Sequence, residues 1–366
     1  MEPRRGILIT RTDRIGDVVL SLPVIKTLSK VFPNEPIHML VSSYAYPIVE
    51  NYPGLSSVIK YEADDGSPNH APRMRQLVQH LKDMNLRTAL MLVYDQEVLS
   101  VIKRAGVKDR MGPLTKIGGM FSYTKWQPQH RSKVERHELE YNLSLLKMLG
   151  VKEENFDSSL DLPIPRSSVL AAFDKLRSIG FDSPEHGYFI IHPCCGGSAK
   201  NWRYAYYAEL ANRLCAELKI PLILTGTEKE ADVLSSIKQH VRSGKAYNTA
   251  GLLSLKELMA VISETKLFVG PSTGPMHIAS ATGVPVASIF SPVKVQSARR
   301  WGPYSYNKSI VIAPSNIDCP GKLKCIGARC EHYDCMDTIS VDEVFDKAKK
   351  VYEDSMGQMG LSFMEV

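Results

Sequence analysis

Short apolar runs alternate with amphipathic segments from the beginning of the chain. Residues 6–10 predict a strand, and residues 18–31 predict an amphipathic helix in which Pro23 causes a kink or a late start. Residues 37–41 predict the next strand, and residues 88–93 continue the pattern. Strands that alternate with helices in this way are typical of a parallel sheet.

A second series of the same kind begins after an extended, proline-rich stretch at residues 161–166. The apolar runs predict strands at residues 188–192, 221–226, 266–270 and 284–290, with helices at 204–219, 229–241, 255–264 and 276–282. Two such series predict an α/β fold of two Rossmann-like domains that face each other across a cleft. We expect one domain at 1–160, the other at 161–340, and a C-terminal helix and tail at 341–366, with Ser340 and Glu343 at capping-box spacing.

A polar turn lies between the last two predicted strands, in the sequence GPSTGPMHIASATGVP at 270–285. Residues 272–275 predict the turn, residues 276–282 a short helix, and Gly283 its C-terminal stop. A strand, a turn and a helix in this order aim free backbone N–H groups at an anion. The pattern therefore predicts a phosphate group, with His277 as either a ligand or a buried structural histidine.

Two further strand ends in the second domain carry candidate ligands. The loop at 194–202 contains Gly196, Gly197 and Lys200, and Glu230 follows the next strand. Bare backbone and a lysine suit a diphosphate, whereas a carboxylate beyond a strand accepts hydrogen bonds from ribose hydroxyls. Because parallel strands bring these ends to one edge, the combination predicts a nucleotide site, although each motif alone also fits an ordinary turn or a solvated helix.

Composition and missing motifs narrow the chemistry. The 366 residues are 44% hydrophobic and 23% charged, with no apolar run near the roughly 20 residues that span a bilayer. The first apolar run is too short for a signal peptide, so we expect a cytoplasmic protein with reduced cysteines. Without a Walker A sequence, a GxGxxG after the first strand, an HExxH or an Asp-rich loop, we expect no cofactor and no catalytic metal.

Positive charge is concentrated in residues 103–136, which we call the basic segment. It holds nine Lys and Arg against two acids, in a chain whose net charge is only +6, together with Met120, Phe121 and Trp126. A solvated loop would explain this composition. The alternative is a basic, partly apolar surface that meets an anionic amphiphile or a membrane face, and Lys125 and Arg131 are its candidate contacts. Net charge alone does not indicate nucleic acid.

Four of the seven cysteines are close together near the C-terminus, at Cys319, Cys325, Cys330 and Cys335. Their spacing lacks the Cys-x2-Cys pairs of common zinc ribbons. A structural zinc site and reduced thiols that pack a loop both remain open.

Three stretches resemble signature segments of the heptosyltransferase family, family nine of the glycosyltransferases. They are RTDRIGDVVLSLPVIKTLSKVFP near the start, ERHELEYNLSLLKMLGV in the middle, and AGLLSLKELMAVISETKLFVGPSTGPMHIASATGVPVASIFSP near the end. The resemblance implies a GT-B fold whose first domain binds the acceptor and whose second binds the donor. It also implies metal-independent, inverting transfer, typically of heptose from ADP-heptose to the inner core of lipopolysaccharide.

The resemblance also implies roles for individual residues. Asp17 matches the general base, and Arg11 lies where a basic residue near the acceptor is usual; Asp13, the rival base, and Arg14 share its loop. Lys200 matches a phosphate-contacting lysine and Glu230 an acid that meets the ribose. The loop and helix start that hold the diphosphate correspond to Thr273, Gly274, Pro275, Met276 and His277.

One departure affects the donor sugar. The best-known members of the family carry Asp where this chain has Ser272, which leaves the phosphate site intact and the heptose unassigned. A transferase for another nucleotide sugar, a nucleotide-sugar epimerase of the same architecture, and a non-enzymatic binding module are the alternatives. An epimerase would have no use for a basic acceptor-side segment.

Overall fold

The computed structural model describes residues 6–115, 117–182, 187–197, 199–242, 244–304, 308–315, 317–321 and 323–362. Lys116 of the basic segment, Ser198 of the loop at 194–202 and the last four residues of the predicted tail lie outside them. None of the described helices is long and apolar enough to cross a membrane. The chain divides into two compact units, one made of the residues up to Arg131 with Arg136–Leu160, the other of Ser132–Glu135 with the residues from Asp161 onward.

The first unit contains a six-stranded parallel sheet in the order β3-β2-β1-β4-β5-β6. Its strands are β1 (Ile7–Arg11), β2 (Ile37–Ser42), β3 (Ser57–Tyr61), β4 (Thr88–Met91), β5 (Asp109–Leu114) and β6 (Lys125–Pro128). Its helices are α1 (Ile15–Val19), α2 (Leu22–Val31), α3 (Tyr46–Val49), α4 (His70–Asp83), α5 (Gln96–Arg104), α6 (Ile117–Ser122) and α7 (Glu138–Ser144). The sheet order reverses between β1 and β4, and ligands of doubly wound folds bind at that point, beyond the carboxyl ends of the strands.

The second unit repeats this arrangement in the order β12-β11-β10-β7-β8-β9. Its strands are β7 (Phe189–Ile191), β8 (Leu222–Leu224), β9 (Ala246–Asn248), β10 (Leu267–Pro271), β11 (Val286–Ile289) and β12 (Ser309–Ile312). Its helices are α8 (Arg166–Ser178), α9 (Tyr204–Leu218), α10 (Ala231–His240), α11 (Leu255–Ser263), α12 (Gly274–Ala281), α13 (Ala298–Trp301) and α14 (Val341–Ser362). The order reverses here between β7 and β10.

The predicted helix at 18–31 is interrupted in the way that Pro23 suggests. Helix α1 ends at Val19 and α2 begins at Leu22, with Pro23 in the first turn of α2. Proline is tolerated there because the first N–H groups of a helix have no intrahelical acceptor. The separate, short α1 therefore places Asp17 close to the end of β1.

Candidate functional site

Arg11 is the last residue of β1, and its guanidinium is the centre of a buried polar cluster at the switch point of the first sheet. Its side chain is 1% exposed, although arginine is almost never buried without partners. Nε donates to Asp13 at 2.7 Å, Nη1 donates to the Asn142 amide oxygen at 2.9 Å, and Nη2 donates to both Asp17 and Glu138. Burial alone would lower the pKa of Arg11, but the three carboxylates together hold it above its usual range.

Asp17 is a nearly buried carboxylate in α1, with a side chain that is 13% exposed. Burial raises the pKa of Asp17 to about 7, because water no longer stabilises the ionised form. Arg11 opposes this rise, whereas the negative charges of Asp13 and Glu138 add to it. A carboxylate in this condition can exchange a proton near neutral pH, as general acid–base catalysis requires.

Asp17 does not have the capping role that would give it a purely structural explanation. The N-cap of α1 is Arg14, in an extended conformation and without a side-chain capping bond, and Asp17 lies inside the helix. The Arg14 side chain is exposed at this edge of the sheet, whereas Asp13 is 31% exposed and bound to Arg11.

Sequence reasoning missed Glu138 and Asn142, which complete the cluster from α7. Glu138 is fully buried and accepts hydrogen bonds from Arg11 and Arg131. Asn142 also donates to the backbone oxygen of Leu20, so it ties α7 to the end of α1. Both residues belong to the stretch ERHELEYNLSLLKMLGV. The feature of the sequence that could have indicated them is the alternation of polar and apolar residues over one helical turn of this stretch.

The structure separates two residues that the sequence groups on one basic surface. Lys125 is exposed on the edge strand β6, as expected. Arg131 is only 10% exposed and donates to Glu138, to the Gln129 side chain and to the backbone oxygen of Leu92. Arg131 is therefore mostly buried, because a buried carboxylate binds it, whereas Lys125 is exposed.

The second sheet also brings its predicted residues to the carboxyl ends of the strands beside its switch point. Strand β10 pairs with β7 there, and a Cβ on Gly270 would lie 2.8 Å from the backbone oxygen of His192. Only glycine allows the two strands to remain this close. Ser272 and Thr273 follow directly after β10, and Thr273 is the N-cap of α12.

Helix α12 begins two residues earlier than the sequence pattern predicts. Gly274 is the first residue of the helix, and Pro275 and Met276 lie in its first turn. The N-terminal end of α12 therefore lies at the edge of the sheet where β10 ends. His277 is buried, and its ring meets Trp301 edge-on with centroids 6.2 Å apart. The helix N-terminus is a polar end beside the buried His277 ring and the partly buried Trp301 ring, and such an end is suited to an anionic group.

Glu230 follows β8 and forms a capping box with Thr227. Its carboxylate accepts from Thr227 N at 2.7 Å and from Thr227 Oγ1 at 2.9 Å. His192, which sequence reasoning also missed, is buried between Thr225 and the Phe268 ring, and burial lowers its pKa to about 4. Burial raises the pKa of Cys194 to about 12, with Glu230 nearby adding to the rise. The directions of these two shifts favour neutral His192 and neutral Cys194.

Lys200 follows β7 and lies beside Tyr333 and Cys335, in the stretch that carries the four C-terminal cysteines. Its Nζ is shielded from solvent and makes no hydrogen bond of ordinary geometry within the described chain. It lies 4.5 Å from the centroid of the Tyr333 ring, and its charge opposes the rise that burial causes in the pKa of the Cys335 thiol. A lysine nitrogen that is shielded from solvent and has no hydrogen-bond acceptor in the described chain can pair with an anion.

The four C-terminal cysteines are free thiols with different environments. Cys335 is buried, Cys319 and Cys330 are partly buried, and Cys325 is exposed. Within the described chain, the one group of three metal-binding side chains whose ligand atoms lie within 4.8 Å of one another is Asp64, Asp65 and His70. Among the described residues, no three of these four thiols lie within 4.8 Å of one another, although Cys319 and Cys325 are near enough to add to the rise that burial causes in the pKa of Cys335.

We therefore expect protein purified without chelators to contain only trace zinc, because a structural zinc site needs about four ligands held in tetrahedral geometry. Elemental analysis of the purified chain measures this directly. Zinc at one equivalent per chain, lost on replacement of Cys319 and Cys335 by serine, would contradict the expectation.

Comparison with known proteins assigns the chain to a family. The family model described as glycosyltransferase family 9 (heptosyltransferase) matches residues 74–326. The lipopolysaccharide core heptosyltransferase OpsX of Haemophilus influenzae is 24% identical over 85% of this chain and 85% of its own. A family 9 glycosyl transferase structure from Veillonella parvula covers 97% of this chain and 99% of its own, with a TM-score of 0.82 and 18% identity. The structure of the Escherichia coli heptosyltransferase WaaC with ADP covers 94% of this chain and 99% of the WaaC chain, with a TM-score of 0.71 and 16% identity.

Two doubly wound parallel sheets are the architecture of the GT-B fold, and together with the family match they make this chain a glycosyltransferase of the GT-B class. The matched segment is more than half of the chain, and the chain belongs to glycosyltransferase family 9, the heptosyltransferases.

Proposed function

We propose that this enzyme transfers a heptose, or a related sugar, from an ADP-linked donor to the inner core of lipopolysaccharide or a similar glycan acceptor. The observation that carries this proposal is the nearly buried Asp17, a carboxylate with a raised pKa held by Arg11 at the switch point of the first sheet. The family match and the ADP bound to WaaC support the donor class.

The proposed reaction is a single displacement with inversion at the anomeric carbon. Asp17 takes the proton from the acceptor hydroxyl, and the oxygen of that hydroxyl forms the new bond to the anomeric carbon. The bond from the anomeric carbon to the donor phosphate breaks, and its electron pair leaves on the nucleoside diphosphate. The start of α12 and Lys200 stabilise the diphosphate charge, and Glu230 binds the ribose, so that the reaction proceeds without a metal.

Ser272 favours a second candidate, a transferase for a different nucleotide sugar. It lies between β10 and the N-cap of α12, where the best-known relatives carry a carboxylate next to the donor sugar. A serine hydroxyl still donates and accepts hydrogen bonds, but it supplies no charge. The change therefore affects recognition of the sugar more than recognition of the diphosphate.

A thermal-shift panel of ADP, UDP and GDP and their sugars separates these donors, because a ligand that binds the native state raises Tm. We expect ADP compounds to give the largest shift. Transfer is then measured with the best donor and a lipopolysaccharide inner-core acceptor, in EDTA, with the anomeric configuration of the product read by NMR. A larger shift with UDP or GDP would support the second candidate, and turnover of the donor without an acceptor would contradict a transferase.

Such an acceptor is lipid-linked, so we also propose peripheral contact with the cytoplasmic face of the inner membrane. The region around α6 supports this contact, because Phe121 is 82% exposed, Met120 47% and Trp126 42%, beside the exposed Lys125. Exposed aromatic and basic side chains together are typical of interfacial anchors.

We expect Phe121→Asp to reduce binding to vesicles that contain phosphatidylglycerol by about tenfold, because the variant no longer buries an aromatic side chain. Co-sedimentation measures the bound fraction. Leu170→Asp, at an exposed apolar position on α8, is the matched control and should bind like the wild type. Equal binding by both variants would remove α6 from the contact.

A further inference from the structure

Glu138 is a fully buried carboxylate to which neither the family resemblance nor the proposed reaction gives a task. It is the first residue of α7, and its side chain is 0% exposed. One of its oxygens, Oε1, accepts from Arg11 Nη2 at 3.2 Å and also from Arg131 Nη1. A carboxylate is seldom buried unless it is paired, because burial removes the water that stabilises its charge.

Glu138 and Asp17 share one guanidinium nitrogen. Arg11 Nη2 donates to both carboxylates, while Arg11 Nε donates to Asp13. The cluster therefore holds three carboxylates against two guanidinium groups, those of Arg11 and Arg131. Within the described residues, the charged groups that act most strongly on Asp17 are Arg11 on β1, Asp13 in the following loop and Glu138 on α7. Arg131 binds Glu138, so its effect on the pKa of Asp17 is an indirect one through that carboxylate.

This sharing matters because an arginine that faced Asp17 alone would make it a poor base. An opposite charge within about 4–6 Å favours the ionised carboxylate and lowers its pKa by roughly 1–3 units. In this chain, burial and the two other carboxylates outweigh Arg11, and the pKa of Asp17 is raised. A negative charge at Glu138 weakens the field of Arg11 at Asp17, and a positive charge at Arg131 limits that weakening.

We propose that Glu138 is a positioning residue for the base: by sharing Arg11 with Asp17, it holds Arg11 in place and keeps Asp17 basic enough to accept a proton, and Arg131 sets the extent of this effect. The inference rests on the proposed function, in which Asp17 deprotonates the acceptor. It assigns the α7 segment a part in catalysis without contact with either substrate.

The test uses two variants of the full chain whose effects have opposite signs. In Glu138→Gln the negative charge is lost and a hydrogen-bond acceptor is kept, so the acid limb of the kcat–pH profile should move down by about one pH unit. In Arg131→Gln a positive charge is lost, so the limb should move up by a similar amount. Glu138→Asp keeps the negative charge, so the acid limb of its kcat–pH profile should lie near that of the wild type. The KM for the donor should remain unchanged in all three variants.

A purely structural role predicts a different pattern, in which Tm and kcat fall together and the limb stays in place. Limbs that move in the same direction in Glu138→Gln and Arg131→Gln, or that do not move, would overturn the proposal. If Glu138→Gln does not fold, the proposal is still tested by the other two variants. The acid limb of Arg131→Gln should move up, and that of Glu138→Asp should stay near the wild-type limb.

Titration of the carboxyl carbons by NMR, in protein labelled at aspartate Cγ, gives a readout that does not need turnover. The Asp17 signal is assigned by its loss in Asp17→Asn. If the chain shows no transfer with any donor, the proposed function fails, whereas the NMR titrations of the two Gln variants still show whether Glu138 tunes Asp17. Turnover with an unmoved Asp17 titration in both variants leaves the function intact and ends the inference.

Discussion

Replacing Asp17 by asparagine is expected to lower kcat by roughly 10²–10⁴-fold, the usual contribution of a general base. Asparagine preserves the shape of the side chain and accepts a hydrogen bond from Arg11, but it cannot take a proton. Donor affinity should not change, because the proposed donor ligands lie in the second unit. Single-turnover rates at saturating donor and acceptor measure the chemical step.

Stability separates this loss from misfolding. The pKa of Asp17 is raised from 3.8 to about 7 in the folded chain, so the folded state binds the proton more tightly than the unfolded state. Ionisation of Asp17 therefore decreases the free energy of unfolding as the pH rises between these values. At pH 8 the Asp17→Asn variant should have a Tm no lower than that of the wild type. Asp13→Asn is the matched control, and an inactive Asp13→Asn beside a nearly normal Asp17→Asn would transfer the role to Asp13.

Replacing Lys200 by alanine is expected to weaken ADP binding by roughly 1–3 kcal/mol, the usual cost of losing a hydrogen bond to a charged group. The Nζ of Lys200 is shielded from solvent beside Tyr333 and Cys335, so a phosphate oxygen there would meet an ammonium that water screens poorly. Calorimetric titration with ADP measures the dissociation constant.

The control for Lys200 is Lys245→Ala, an exposed lysine of the same unit that precedes β9 and so lies at the amino edge of the sheet. Its ADP affinity should equal that of the wild type. Equal affinities for Lys200→Ala and the wild type, in folded protein, would refute the assignment of Lys200.

Buried strands could be predicted from the sequence because their apolar runs are continuous. Strands β1, β4, β7 and β10 are almost wholly buried, and each coincides with a predicted run. By contrast, β6 is an edge strand with mostly exposed residues, and the sequence shows it only as part of a basic segment. A strand whose side chains face solvent leaves no apolar run to detect.

The residues of the candidate site also differ in whether local sequence predicts them. Asp17 and the residues from Ser272 to His277 lie in the turns and short helices that directly follow such strands, so local sequence is enough to place them at a sheet edge. Glu138 meets Arg11 from 127 positions away, and Arg131 is buried only because Glu138 binds it. Pairings over this distance depend on how α7 packs against α2 and so reaches Arg11 at the end of β1, which no local pattern contains.

The dependence of the single-turnover rate on pH tests the central claim, that Asp17 is the base of this glycosyltransferase, most directly. Asp17 must be ionised to accept a proton, and burial raises its pKa to about 7. The wild-type rate should therefore rise with pH through about 7 and level off above about 8. The residual rate of Asp17→Asn should lack this limb. A wild-type rate that is flat from about pH 5 to 9, or the same limb in Asp17→Asn, would contradict the account.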